Sequence, residues 1–293
     1  MSRNPLMPMS PAAAALAAAV LLVLQGCASA PKAETRGIAS TQPMETLRDE
    51  AFAQSERFID AEAVLATTRV GVPTVRIVDD AFPDSISPQQ AALVANRAAR
   101  DVCNGLARYV TLDPEISDPS VEIVVTSIRP TSAGAAGASA VLGVFVPGPF
   151  RLPAGLGGFA ADGALRKAGE AVYVLHWAEG AGAITEDARV SAIGDAYQLA
   201  NDFADEFIDG FSDPKEAASP DRTRVDAATR DANQALCLAR FGRANPVGRG
   251  ATILLPLAPE AFDAGAPEAS GLEATGVDAD ERVERTDADD RGE

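Results

Sequence analysis

Few side chains in this chain are placed to do chemistry. The only histidine, His176, stands beside the only tryptophan, Trp177, in an apolar run. Imidazole titrates near neutrality, so with a carboxylate such as Asp187 or Asp195 it offers a general base for a hydrolase. A polar ring held by a partner within a sheet is the simpler account. No nucleophile elbow accompanies the histidine, because Gly137-Ala138-Ser139-Ala140-Val141 lacks the second glycine of G-x-S-x-G. Gly155-Leu156-Gly157-Gly158-Phe159-Ala160 spells G-x-G-x-x-A, but Pro147-Gly148-Pro149 and Pro153 precede it where a dinucleotide fold needs a strand. Asp287-Ala288-Asp289-Asp290-Arg291-Gly292 opens like a calcium loop and lacks the bidentate acid that completes one. With no Cys-x-x-Cys pair or Cys/His cluster, the expectation is no metal and no cofactor.

The thiol with the clearest chemistry is Cys27. Arg3 is followed by an uncharged Ala/Leu/Val-rich run over residues 11–24. That run is shorter than the ~20 apolar residues needed to cross a bilayer, so it reads as a cleaved export segment. It closes on Leu24-Gln25-Gly26-Cys27, which resembles the lipobox of bacterial lipoproteins. In that reading Leu24 and Gly26 serve signal recognition, the Cys27 thiol takes a diacylglyceryl group, and the chain is cut before it and acylated on the new amine. Ala28 follows in place of an aspartate, and the resemblance then implies a lipid-anchored protein of the outer membrane, facing the periplasm. Two or more acyl chains anchor stably where one does not. The competing reading is cleavage after Ala28-Ser29-Ala30, which would free a chain beginning at Pro31. In such a compartment Cys103 and Cys237 are either joined as a disulfide or buried as two thiols.

The net charge of −17 becomes −18 once residues 1–26, with their single cation Arg3, are removed. Such a balance disfavours nucleic acid and anionic headgroups as partners. Residues 27–44 read as a tether and 45–66 as a helical lead-in carrying Leu47, Phe52, Phe58, Ile59 and Val64. Residues 69–78 read as an edge strand because Pro73 removes a ladder donor. Ser87-Pro88-Gln89-Gln90 is a helix start, and Ala91, Val94, Ala95, Ala98, Val102, Leu106 and Tyr109 recur on one face after it. Residues 121–128 and 171–177 read as strands, and 191–211 as a second amphipathic helix using Ile193, Ala196, Tyr197, Ala200, Phe203, Phe207 and Phe211. The expected fold is α/β (α+β): a small two-layer domain over residues 67–213, a short mixed sheet with two amphipathic helices, and flexible termini. Residues 214–257 read as a C-terminal extension, with a helix over 219–240 using Val225, Ala228, Ala232, Ala235, Leu236 and Ala239 and a strand over 251–257. Residues 258–293 read as an acidic disordered tail.

The lipobox, the 121–128 strand running into Arg129-Pro130-Thr131, the Gly169-Glu170 turn before an apolar strand, and the Ser191-Ala192-Ile193-Gly194-Asp195-Ala196 helix start together resemble the bacterial lipoproteins of the domain of unknown function 3313 family. The resemblance implies an envelope lipoprotein with no assigned enzyme activity, and it supplies no catalytic residues. A candidate working surface is the uncharged stretch 133–150, whose Val141, Leu142, Val144, Phe145, Val146 and Phe150 would receive a partner or line an oligomer if exposed, and would pack on the sheet if buried. The leading expectation is a membrane-anchored, non-enzymatic binding or assembly module with a protein partner or self-association. The alternatives are a periplasmic hydrolase using His176 and a pore-type oligomer using the 133–160 loop.

Overall fold

The segment around His176 is apolar on both faces, so it needs cover on both sides and a hydrogen-bonded neighbour on each edge. The computed structural model describes residues 37–131, 157–181, 191–214, 222–244, 259–261 and 263–266. In chain order the elements are β1 (Glu45–Asp49), β2 (Ala53–Ile59), α1 (Ala61–Leu65), β3 (Arg69–Gly71), β4 (Thr74–Ile77), α2 (Pro88–Leu106), β5 (Thr111–Asp113), β6 (Ser120–Arg129), β7 (Gly158–Lys167), β8 (Glu170–Gly180), α3 (Gly194–Ser212) and α4 (Ala227–Phe241). The fold is α+β. Six strands form a mixed sheet in the order β1-β2-β8-β7-β6-β4, antiparallel except for the β4/β6 pair, and β3 and β5 form a small parallel sheet beside it.

One face of the sheet carries Val121, Ile123, Val125, Phe159, Leu165, Tyr173, Leu175 and Trp177 against α2 and α3. Phe207 stacks on Tyr173 with ring centroids 4.7 Å apart, and Phe203 meets Phe159 and Trp177 edge-on at 6.2 and 6.1 Å. Gly163 makes this possible: a Cβ there would lie 2.6 Å from the Phe207 ring. The opposite face carries a smaller apolar cluster of Val124, Ala164 and Val174, which Ile38 covers. At the start of α2, Ser87 and Gln90 form the capping box read from the sequence, with Pro88 in the first turn.

The structure corrects several expectations. Residues 45–66 are mostly a β-hairpin, and helix is confined to α1, capped by Asp60. The large apolar residues there have loose helical spacing, yet the buried positions of β2 are the small Ala53 and Ser55 at period two. The open edge of β8 recruits that strand, and tertiary pairing overrides local preference. The single strand read over 69–78 is broken at Pro73 into β3 and β4, which join different sheets. Strand β7 was hidden in a glycine- and alanine-rich stretch, and the G-x-G-x-x-A run leads into it. It turns into β8 through Ala168 and Gly169, both at positive φ (53° and 82°), the backbone of a type I′ hairpin.

The packed part of the chain also begins earlier and ends later than read. The 27–44 tether is shortened because Ile38 is buried against the sheet. Helix α4 is shorter than 219–240, and it buries Asn233, Cys237 and Phe241 while the alanines at 228, 232, 235 and 239 face solvent. Asn233 accepts from Leu112 N–H at 2.9 Å and donates to the carbonyls of Ala107 and Val110. Cys103 and Cys237 are joined, with Cα atoms 5.8 Å apart and a separation of 134 in sequence. The 258–293 tail is not disordered from its start, since residues 259–261 form a 3-10 turn and Asp263 is buried. The expected strand over 251–257 lies outside the described residues.

Because the bridge closes a long loop, opening it should cost about 3–5 kcal/mol. Denaturant unfolding of a Cys103→Ala/Cys237→Ala chain beside the parent, with and without reductant, measures this, and reductant should leave the variant unchanged.

Candidate functional site

His176 and Asp162 are direct cross-strand partners on β8 and β7, on the sheet face turned away from the helices. A carboxylate only accepts, so the imidazole Nδ1 carries the proton and donates to Asp162 Oδ1 at 2.8 Å. The other oxygen, Oδ2, accepts from the Ile38 backbone N–H at 2.8 Å, while Arg76 donates to the Gly37 carbonyl at 2.9 Å. The ring is 4 % exposed, and Nε2 finds no partner among the described residues. A hollow of about 190 Å³ on this face is lined by His176 itself together with Thr46, Gln54, Ser55, Glu56 and Trp177. Through Asp162 the histidine helps latch the incoming N-terminal segment onto the sheet, while its Nε2 is buried.

The carboxylate beside His176 is Asp162, and of the two named in the hydrolase reading only Asp195 is seen, away from the ring. Asp187 lies outside the described residues. Asp195 is fully buried at the other end of the sheet, where Oδ2 accepts from Gly157 N–H at 2.8 Å and its own N–H donates to Thr131 Oγ at 3.2 Å. Thr131 N–H donates to Ala192 O, and Ala181 N–H to Gly157 O. The ends of the two strand-to-element connections are therefore tied in one knot. The residues Val141, Leu142, Val144, Phe145, Val146 and Phe150 belong to the first connection and lie outside the described residues, as do Leu24, Gly26 and Cys27.

A groove of about 620 Å³ lies on the outer side of the helices, with α2 as its floor and α3 and α4 as walls. Arg97, Arg100, Asp101, Asn104 and Arg108 lie along one stripe of α2, Asn201, Asp205 and Ile208 come from α3, and Leu238 and Arg243 from α4 and the turn after it. Arg97 pairs with Asp101 at 2.5 Å and donates to Asn201. Burial pushes the Asp101 carboxyl upward against the pull of Arg97 and Arg100.

Arg100 sets one end of this groove. Its guanidinium holds Asp263 through two hydrogen bonds of 3.1 and 2.5 Å, and it donates to the Tyr197 hydroxyl at 3.0 Å, which in turn donates to Asp263. Burial alone would raise the Asp263 carboxyl, but the hydrogen bonds from Arg100 and Tyr197 and the Arg100 charge outweigh it, and the net shift is downward. Burial and the bond to Asp263 push the Tyr197 hydroxyl up to about 12. Glu260 extends the clasp, accepting from Ser191 Oγ at 2.9 Å and from Gln90 Nε2 at 2.7 Å. Nothing in the sequence reading singled out Asp162, Arg100 or Asp263. The available signal for Asp162 was its being the one acid in β7, and Arg100 stood out from the other polar residues of its helix face by nothing in the sequence.

Among the described residues no cluster of three or more His, Cys, Asp or Glu is arranged to hold a metal, and no helix is long and apolar enough to cross a membrane. No family model matches the chain, and no curated protein matches it. Among solved structures, a PelC dodecamer from Paraburkholderia phytofirmans is similar at a TM-score of 0.33 and 9% identity, covering 54% of this chain and 96% of that one. A single-substitution variant of the same dodecamer is similar at 0.34 and 11%, covering 54% and 97%. At these values the likeness carries no argument about what this chain does.

Replacing Asp263 with alanine strands a buried guanidinium and should cost about 3–5 kcal/mol, read by chemical denaturation. An Arg100→Leu/Asp263→Leu chain, with both charges gone, should recover much of that loss. The depressed carboxyl keeps its charge to lower pH folded than unfolded. Its contribution is thus complete above the ordinary aspartate value near 3.8 and is lost as pH falls through the lowered one. Hydrogen exchange at Asp263 and Gly265 should accelerate as pH falls below the ordinary aspartate value, where Asp263→Ala shows no such step.

Proposed function

We propose that this chain is a lipoprotein held to the periplasmic side of the outer membrane through Cys27, and that its α+β domain is a non-enzymatic binding or assembly module that joins a protein partner or further copies of itself. The observation that carries the reading is the run Leu24-Gln25-Gly26-Cys27 at the close of an apolar export segment, with the packed chain resuming at Gly37. From Cys27 to Gly37 the backbone reaches at most about 35 Å, so the domain would sit close to the bilayer surface. The described chain enters the fold on the sheet face opposite the helices, where Ile38 is latched by Asp162. The reading accordingly has the His176 face toward the anchor and the helices with their groove facing outward. The burial of His176 and the commitment of its Nδ1 weigh against the hydrolase alternative.

Envelope fractionation with mass spectrometry of the mature N-terminus tests the anchor. The parent should be found in the outer membrane with an acylated Cys27, and a Cys27→Ala chain should lose both the acyl mass and the membrane association. A parent beginning at Pro31 and found in the soluble periplasmic fraction would overturn the reading. Native mass spectrometry of the extracted protein, and of its cross-linked complexes, should show a partner or a multimer; a solitary monomer under both counts against the assembly role.

A further inference from the structure

Two cations in the helix groove have no counter-charge among the described residues. Arg108 and Arg243 are exposed, both border the groove, and neither guanidinium has a hydrogen bond or ion pair among the described residues. Of the other charges there, Arg97 pairs with Asp101 and Arg100 with Asp263, while Asp205 accepts a hydrogen bond from the neutral Asn201 amide. The walls carry apolar side chains among their polar ones, Ile208 on α3 and Leu238 on α4, the latter one of only two large hydrophobic side chains exposed among the described residues. Two free guanidinium groups flanking an apolar strip in a strongly acidic protein suit a peptide that alternates carboxylates with aliphatic side chains.

The chain carries such a peptide next to the groove. Asp263, already bound to the groove residue Arg100, is followed after Ala266 by residues 267–293. These hold Asp278, Asp280, Glu281 and Glu284 among ten acids against three arginines, with Leu272, Val277 and Val283 interspersed. From Arg97 to Arg108 the groove runs roughly 17 Å along α2, a span that six extended residues cover. Tethering at Asp263 places the peptide at an effective concentration in the millimolar range, so weak contacts suffice to hold it. We propose that the helix groove is a docking site for an acidic peptide, and that its resident occupant is the chain's own segment 267–293, engaged through Arg108 and Arg243. Any partner entering by the same chemistry would have to displace that segment.

The test uses the mature chain with Cys27→Ser, isotope-labelled for NMR, bearing a nitroxide on Ala279→Cys with the native disulfide kept closed. Amide signals of Asn104, Leu238 and Arg243 should broaden at least two-fold relative to the reduced label, while Ile123 in the sheet stays sharp. The effect should fall to background in an Arg108→Gln/Arg243→Gln chain and in about 1 M salt, where charge is screened within ~3 Å. Both arginines are exposed and unpaired, so the variant should keep its melting temperature. If it does not, an Asp278→Asn/Asp280→Asn/Glu281→Gln chain replaces it and should also lose the effect. Background broadening at the groove in the parent, or broadening indifferent to these substitutions, would overturn the proposal. Broadening seen only when a labelled copy is mixed with a separate isotope-labelled copy would place another molecule's tail in the groove and overturn the intrachain assignment.

Discussion

Strand β8 has no solvent side. Tyr173, Leu175 and Trp177 point toward the helices, and Val174, His176 and Ala178 point the other way, all of them buried. A strand of that kind is stable only when both faces are covered and both edges are hydrogen-bonded. The rest of the architecture meets those four demands. Helices α2 and α3 cover one face, Ile38 contributes to the cover of the other, β7 takes one edge through a two-residue turn, and β2 takes the second. The conversion of residues 45–59 into a hairpin follows from the same need.

Around this strand, peripheral segments are positioned by buried polar groups. Asp162, between His176 and Ile38, places the chain's entry. Asn233 ties α4 to the end of α2 and the start of β5, where the disulfide adds a covalent link. Asp195 gathers the ends of the two long connections, and Arg100 with Tyr197 fixes the chain at Asp263. Each of these pairings joins residues far apart in sequence except the strand-to-strand pair Asp162 and His176. Removing one partner would leave a charge or amide buried without its match, which costs more than the pairing itself contributes. Their effect is to specify where each segment lies on an apolar core that would tolerate several placements.

The arrangement also separates two surfaces. The entry of the chain and the histidine latch are on one side of the sheet, and the groove, with its unpaired cations and exposed Leu238, is on the other, beyond the helix layer. The histidine lies on the entry side, where with Asp162 it helps hold the entering segment in place.

What could be read from residue order alone were features set by local physics: the capping box before α2, the apolar stripes of α2 and α3, and the long apolar strand. Caps act within four residues and stripes repeat every turn, so a one-dimensional pattern records them. The sequence left open whether Cys103 and Cys237 are joined, and it did not show that β7 exists, since glycine and alanine become strand formers only where Phe203 and Phe207 lie across them. Nor could it show that the hydrophilic residues 45–57 pair with β8, that Asp162 faces His176, or that Arg100 meets Asp263. Those outcomes depend on which surfaces the packed core brings within hydrogen-bond distance. That is decided by the summed geometry of the whole chain, where no local rule reaches.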